Sequence, residues 1–292
     1  MALGATTKIG VHMIGEEADR PIYIIGEKIN GFVPKSGKAI EAGDAEYIKE
    51  IAIAQTEAGA DYLDCSPATT TGFGDNLETM TWLINLIQEV CDTPITLDSP
   101  NVDLLLEAMK LCKRPGMINS ASLCEGKCDK VFPVIAGTDW TCVVMLDDDV
   151  RGIPKDAAGR IDNYKKVLEK AKEYGVKPEQ LFFDPLVETL GANDTAFLTF
   201  KEVCEAIVEI EPKCHITSGL SNISFNMPSR KHINMGFMVM SMAAGMDSAI
   251  VDPLNRDMMG VIYATNALLG NDEYSMEYVG AYREDRFGVQ KK

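Results

Sequence analysis

The stretch Ser218-Gly219-Leu220-Ser221-Asn222-Ile223-Ser224-Phe225-Asn226 carries groups that can hold a neutral heterocycle. Two of its serines, Ser221 and Ser224, offer hydroxyls, and the amides of Asn222 and Asn226 both donate and accept hydrogen bonds. Gly219 lets the backbone come close to whatever is bound. None of these groups titrates usefully, so chemistry centred here orients and polarises a ligand. Any full charge has to come from carboxylates elsewhere: Glu27, Asp64, Asp98, Asp184 and Asp252 are the candidates, accompanied by the amides of Asn30 and Asn119 and the hydroxyls of Ser99 and Ser120. Several carboxylates and a few amides in one pocket match a ligand with an array of ring N–H donors and acceptors, such as an aminopyrimidinone. Each has a plainer reading. Asp184-Pro185 and Asp252-Pro253 are also turn formers, and Asp98-Ser99-Pro100-Asn101 is also a helix start.

These residues share a place in the pattern. The Ser218–Asn226 stretch follows a β-prone run, Cys214-His215-Ile216-Thr217, and precedes a helical pattern that begins near Arg230. The same alternation recurs along the chain. It predicts strands at Ile22–Glu27, Tyr62–Ser66, Ile95–Ser99, Met117–Ser120, Cys142–Asp147, Leu181–Pro185, His215–Ser218 and Ser248–Asp252. Helices are expected at about 44–58, 76–91, 101–111, 125–136, 161–174, 195–210, 231–244 and 256–269. Asp44, Asp75, Asn101 and Asp194 stand where N-caps belong, and Gly59, Gly175, Gly245 and Gly270 where helices end. Strand-helix units of this number and size fit a single-domain α/β fold, a (β/α)8 TIM barrel over residues 21–273, with 1–20 as an amino-terminal extension and 274–292 as a carboxyl-terminal tail. Residues at the carboxyl ends of barrel strands converge on one mouth, so the candidates above form a set. A doubly wound open sheet is the alternative, but no Gly-x-Gly-x-x-Gly follows the first strand, and Gly72-Phe73-Gly74 lacks the third glycine. The run 147–156 reads as a mobile loop over the site.

Composition narrows the classes. The chain has 292 residues, 46% hydrophobic, with a formal charge of −16. That charge argues against a nucleic-acid or anionic-membrane partner. No apolar run approaches the roughly 18 residues of a membrane span, and residues 1–20 lack the order of a secretion signal, so the expectation is a soluble cytoplasmic protein. The eight cysteines fall mostly in apolar strand or helix patterns and read as packing residues in a reducing compartment. Cys124 and Cys128 would share a helix face but have no second pair to complete a zinc site, and His12, His215 and His232 form no metal-binding spacing, so no metal is expected. The methionines between Met235 and Met246 read as an adaptable packing face.

Six ordered motifs carry a resemblance: Ile25-Gly26-Glu27-Lys28-Ile29-Asn30-Gly31, Gly59-Ala60-Asp61-Tyr62-Leu63-Asp64, Leu97-Asp98-Ser99, Met117-Ile118-Asn119-Ser120, Asp184-Pro185-Leu186 and Gly219-Leu220-Ser221-Asn222-Ile223-Ser224. Together they resemble the pterin-binding methyltransferases, which include methyltetrahydrofolate:corrinoid protein methyltransferases and the folate domain of cobalamin-dependent methionine synthase. The resemblance implies a (β/α)8 barrel and methyl transfer between N5 of tetrahydrofolate and the cobalt of a corrinoid, in an anaerobic demethylation or acetyl-CoA type pathway. It implies that Asp98, Asn119 and Asp184 bind the pterin ring, that Asn222 is the catalytic residue nearest N5, that Gly219 and Ser221 line the pocket, and that Arg230 meets the aminobenzoyl-glutamate part. Glu27, Asn30 and Asp64 complete the substrate-binding set.

Around none of the three histidines is there an Asp-x-His-x-x-Gly corrinoid motif. Cobalamin or another corrinoid is therefore expected on a partner or free, docking transiently, with tetrahydrofolate or 5-methyltetrahydrofolate as substrate and a homodimer as the family expectation. Cys65-Ser66 departs from the hydrophobic-Asn pair of relatives, which leaves any contact at Ser66 open. Rival readings are a dihydropteroate synthase-like enzyme, which resembles a different loop pattern, Gly-x-Ser-Arg-Lys, and a pterin-binding module without turnover.

Overall fold

Alternate side chains of a strand point to opposite faces, and in each strand here one parity is apolar towards surrounding helices while the other fills a lumen. The computed structural model, which describes residues 22–289, contains eight parallel strands: β1 (Tyr23–Gly26), β2 (Tyr62–Cys65), β3 (Ile95–Asp98), β4 (Met117–Ala121), β5 (Thr141–Met145), β6 (Leu181–Asp184), β7 (His215–Ile216) and β8 (Ser248–Val251). They pair in the order β7-β6-β5-β4-β3-β2-β1-β8. The β7–β8 seam closes through an isolated bridge, Gly219 to Ile250, and through the Ile250 N–H donating to the Ser218 carbonyl at 3.0 Å. The result is the expected (β/α)8 barrel. The registers Asp98 with Asn119 and Met145 with Asp184 bring polar residues of neighbouring strands to the same rim.

Leu63, Leu97, Ile118 and Phe183, of one parity, are buried against the helical layer. Ile25, Met117, Val143 and Phe182, of the other, make a separate inner core with Tyr23, Tyr62 and Ile250 against it. Below it, His215 stacks on Phe182 with centroids 4.4 Å apart and bonds Asp247 at 2.7 Å, so this histidine belongs to the barrel floor.

The helices that follow the strands are α2 (Ala45–Glu57), α3 (Leu77–Val90), α4 (Val102–Met109), α5 (Lys127–Ile135), α6 (Ala157–Tyr174), α7 (Ala196–Ile210), α8 (Arg230–Ala243) and α9 (Arg256–Leu268). Two further helices, α1 (Pro34–Ala42) and α10 (Met276–Arg283), had no clear sequence signal. Helix α1 starts without a side-chain cap and contains Gly37, where a Cβ would lie 2.3 Å from the Gly31 carbonyl oxygen. Helix α10 lies in the segment expected to be a polar tail. Its anchor stands beyond its own end, where Phe287 is buried and stacks on Tyr263 of α9 at 5.7 Å. The expected extension 1–20 lies outside the described residues.

Some caps differ from expectation. Asp44 and Asn101 accept from N–H groups of their first turns, whereas Asn76, not Asp75, caps α3, because Asp75 accepts from the Ser99 hydroxyl at 2.9 Å. Thr195 precedes α7 with no side-chain cap, so Asp194 does not serve there. Helix α6 begins four residues earlier than the apolar pattern suggested, because Asp156 caps it by accepting from the Gly159 N–H at 2.8 Å. The run 147–156 is a tied turn rather than a loose loop: Asp148 and Gly152 exchange backbone hydrogen bonds, and Asp148 Oδ1 accepts from the N–H groups of Val150 and Arg151. The methionine face divides, with Met238 and Met242 buried and Met240 exposed.

Candidate functional site

Strand parity places the site. Glu27, Asp64, Asp98, Asn119 and Asp184 each follow by two residues a lumen-facing position, namely Ile25, Tyr62, Thr96, Met117 and Phe182. They therefore stand above the apolar inner core at the carboxyl end of the barrel. A cavity of about 640 Å³ opens there, a size that accommodates a small heterocyclic ligand. Its walls are Glu27 and Asn30 after β1, Asp64 and Asp98 on β2 and β3, Gly219, Ser221 and Asn222 after β7, and Arg230 on α8. Asn119 and Asp184, at the equivalent rungs of β4 and β6, are not among the lining residues of that cavity. Asp252 holds Lys28 in an ion pair at 2.7 Å.

Sequence reasoning missed several wall residues. Phe32, Val33 and Pro34 form an apolar lip between β1 and α1, Ile250 comes from β8, and Asn234 lies one turn along α8 from Arg230. Ser66 is buried, and its hydroxyl bonds the Asp98 carboxylate and favours its charged form. Its place two residues beyond Asp64, on the same parity, was the available signal.

Burial shapes the acids. Desolvation lifts Glu27 to about 7, with Asp252 adding to the rise and Lys28 and Arg230 opposing it. Desolvation likewise lifts Asp98 to about 6. It lifts Asp184 to about 6, against the N–H groups of Leu186 and Gly219 and the charge of Arg160. Asp64, 1% exposed, is raised well above the ordinary carboxylate range by desolvation first and then by Asp98. One of its oxygens accepts from Asn30 Nδ2 at 2.9 Å, and this bond and the Cys65 backbone N–H oppose the rise. The pocket thus holds acids whose charge a ligand can change.

Arg160, itself buried, braces the rim near Asp184 by donating to the carbonyls of Pro154, Pro185 and Leu186. On the opposite side, the loop after β7 forms a 3₁₀ turn over Leu220–Ser224. Asn222 is exposed at its crest, and its side-chain amide makes no hydrogen bond to another described residue, which leaves both ends free for a ligand. Arg230 is engaged within the protein: its Nη2 donates to the Ser221 carbonyl at 2.6 Å and its Nε to Ser224 Oγ at 3.0 Å. A Cβ built on Gly219 would lie 3.0 Å from Asn222 Nδ2. Gly219→Ala is therefore expected to displace that amide and lower by about 10-fold any rate that depends on its placement, while the melting temperature stays within about 2 °C of the parent because a mobile side-chain tip can yield. Steady-state rates and a thermal scan check this pair of outcomes.

Among the described residues no group of three or more His, Cys, Asp or Glu side chains could hold a metal ion, and the eight cysteines are free thiols. Among the described residues no helix is long and apolar enough to cross a membrane.

Comparison with known proteins places this geometry. A family model described as pterin binding enzyme matches residues 35–252. The chain is 44% identical over 274 residues, 93% of this chain and 100% of the relative, to the methylcorrinoid:tetrahydrofolate methyltransferase of Eubacterium limosum. It is 28% identical over 256 residues to the methionine synthase of Mycobacterium tuberculosis, covering 82% of this chain and 21% of that protein. Among solved structures, a dihydropteroate synthase from Yersinia pestis matches with TM-score 0.61 at 15% identity, covering 86% of this chain and 95% of the other. One from Coxiella burnetii in complex with pteroic acid matches with TM-score 0.62 at 16% identity, covering 84% and 92%. At such identities these two structures speak for the shared fold alone.

Proposed function

Because the chain belongs to the pterin binding enzyme family, we propose that it is a methyltransferase that moves a methyl group between N5 of tetrahydrofolate and the cobalt of a corrinoid. The observation that carries the reading is its 44% identity to the Eubacterium limosum methyltransferase over the whole of that protein. The cavity supports it: acids that can accept from ring N–H groups when charged, or donate to ring nitrogens and carbonyls when neutral, stand opposite an amide that is free to serve either state of N5.

Methyl transfer to tetrahydrofolate forms an N5–C bond from the N5 lone pair. The Co–C bond breaks with both electrons left on cobalt, and N5 then releases a proton. In the reverse direction N5 must carry positive charge before the methyl leaves, because a neutral amine is a far better leaving group than a nitrogen anion. The Asn222 carbonyl can accept from protonated N5, and its amide N–H can donate to the neutral nitrogen. Asp98 provides an acceptor for the ring, Asp64 a donor, and Glu27, which titrates near neutrality, a group able to hold a proton within the cavity. Asn119 and Asp184, on the adjoining rungs, extend the polar surface for the pterin.

By the same reading the corrinoid comes on a separate protein, and this chain works in the cytoplasm as a homodimer. The mouth supports a carrier: Phe32, Val150 and Phe225, exposed by 61%, 92% and 57%, follow β1, β5 and β7 on the loops of this face. Mixing the purified protein with methylcobalamin and tetrahydrofolate is expected to yield 5-methyltetrahydrofolate with loss of the methylcobalamin absorbance. Formation of dihydropteroate from a pterin diphosphate and aminobenzoate instead overturns the reading. Binding of tetrahydrofolate with no methyl movement in either direction leaves the module without turnover.

A further inference from the structure

We propose that Arg230 is a positioning residue for Asn222, clamping the peptide from which that side chain projects; this rests on the methyltransferase reading. The loop after β7 has little regular structure of its own. Its 3₁₀ turn is followed by two left-handed residues, Asn226 (φ 60°) and Ser229 (φ 52°). Without a hydrogen bond to another described residue, the Asn222 amide takes its direction from the backbone beneath it.

That backbone is gripped from both sides. From the β6 side, the Leu190 N–H donates to the Ile223 carbonyl at 2.9 Å and the Thr189 hydroxyl to the Phe225 carbonyl at 2.7 Å. Those contacts fall after Asn222. From the α8 side, the Arg230 guanidinium donates to the Ser221 carbonyl, which is the carbonyl of the Ser221–Asn222 peptide itself, at 2.6 Å. Its Nε reaches Ser224 Oγ at 3.0 Å, and that hydroxyl donates to Asn234 Oδ1 at 2.6 Å. Arg230 and Asn234 are one turn apart on one helix, so both ends of the clamp share a rigid base. A planar guanidinium with two nitrogens on one loop fixes the orientation of the peptide as well as its position, which a lysine cannot do. Two of the five guanidinium N–H groups are used in this way, and Arg230 still lines the cavity.

The clamp is tested by a double-mutant cycle with methylcobalamin and tetrahydrofolate at a pH of about 8.5, above the value of about 7 to which burial lifts Glu27, which Arg230 also influences. Arg230→Ala is expected to lower kcat about 10-fold, with the Kd for tetrahydrofolate changed less than about threefold. In an Asn222→Ala background the same substitution should cost less than about twofold more, because the group it positions is gone. Added guanidinium is expected to restore part of the rate of Arg230→Ala and none of that of Asn222→Ala. Losses that multiply in the double variant overturn the proposal. So does an Arg230→Ala loss that disappears with a pterin substrate lacking the glutamate, which assigns the arginine to the tail. If Arg230→Ala does not fold, Arg230→Lys and Ser224→Ala enter the same cycle with the same criterion. A chain that binds tetrahydrofolate but never transfers methyl sinks the functional reading instead. The clamp is then read from the side-chain amide resonance of Asn222 in isotope-labelled protein, expected to shift and broaden in Arg230→Ala and, if unmoved, overturning it.

Discussion

Replacement of Asn222 by alanine is expected to lower the rate of methyl transfer by roughly 10- to 1000-fold, the range for loss of one preorganised polar group at the reacting atom. Tetrahydrofolate binding should weaken as well, because in the proposed mechanism the amide meets N5 in both of its protonation states. The cavity otherwise stays intact: Asn222 is exposed and its side chain makes no bond to another described residue, so its removal leaves no buried partner unsatisfied. The melting temperature should consequently move by less than about 2 °C. Single-turnover transfer from methylcobalamin separates chemistry from product release, and an unchanged single-turnover rate removes the loop after β7 from the mechanism.

The second large effect is on pH. Asp98 and Asp184 titrate at about 6 because burial disfavours their charge. A pterin that donates N–H groups to them favours the ionised forms, so binding is linked to proton release. Affinity for tetrahydrofolate should therefore fall as pH drops through 6, by about fivefold between pH 6 and pH 5 for each carboxylate that must be charged, and so by up to about 30-fold if both are, steepening towards about tenfold per pH unit for each below that.

The stability of the empty protein runs the other way. A carboxyl whose pKa is raised by folding binds protons more tightly when folded. Its contribution is fully present below the unfolded value near 4 and is lost as pH rises through the folded value, so across about pH 4 to 7 these groups favour the folded state at the acidic end. Opposite slopes of affinity and of melting temperature across that window, so that Kd and melting temperature both rise towards acid pH, are the expected signature. Titration calorimetry in two buffers of different ionisation enthalpy should detect the released proton near pH 6 and little release near pH 8. Asp184→Asn should flatten part of the affinity slope, weakening binding with little effect on the rate of the chemical step. A Kd that is flat from pH 7 to 5 counts against carboxylate recognition of the ring.

Much of this was legible in the chain alone. The alternation of short β-branched runs with amphipathic segments is local information, and it sufficed for eight strands and the helices that follow them, because period-2 and period-3.6 patterns are dictated by backbone geometry. The same local parity put Glu27, Asp64 and Asp98 into one lumen. Helices α1 and α10 escaped because they depend on contacts that carry no helical periodicity: Gly37 fits against the Gly31 carbonyl, and Phe287 packs on Tyr263 of another helix.

The direction in which a side chain ends, and its charge once there, came only with the tertiary structure. Arg230 stands after the loop in sequence and reads as a ligand contact, and in space it lines the cavity while also donating to the Ser221 carbonyl and the Ser224 hydroxyl, contacts with no sequence signal. Asn119 and Asp184 occupy the anticipated rungs, but the closure of the barrel seats the cavity nearer to β1, β2, β3 and the loop after β7. The raised acids follow the same rule. Residue type sets a carboxyl's ordinary pKa. Removing water around Glu27, Asp64, Asp98 and Asp184 takes side chains from many strands at once, and desolvation by neighbours far apart in the chain has no local pattern that a sequence can show.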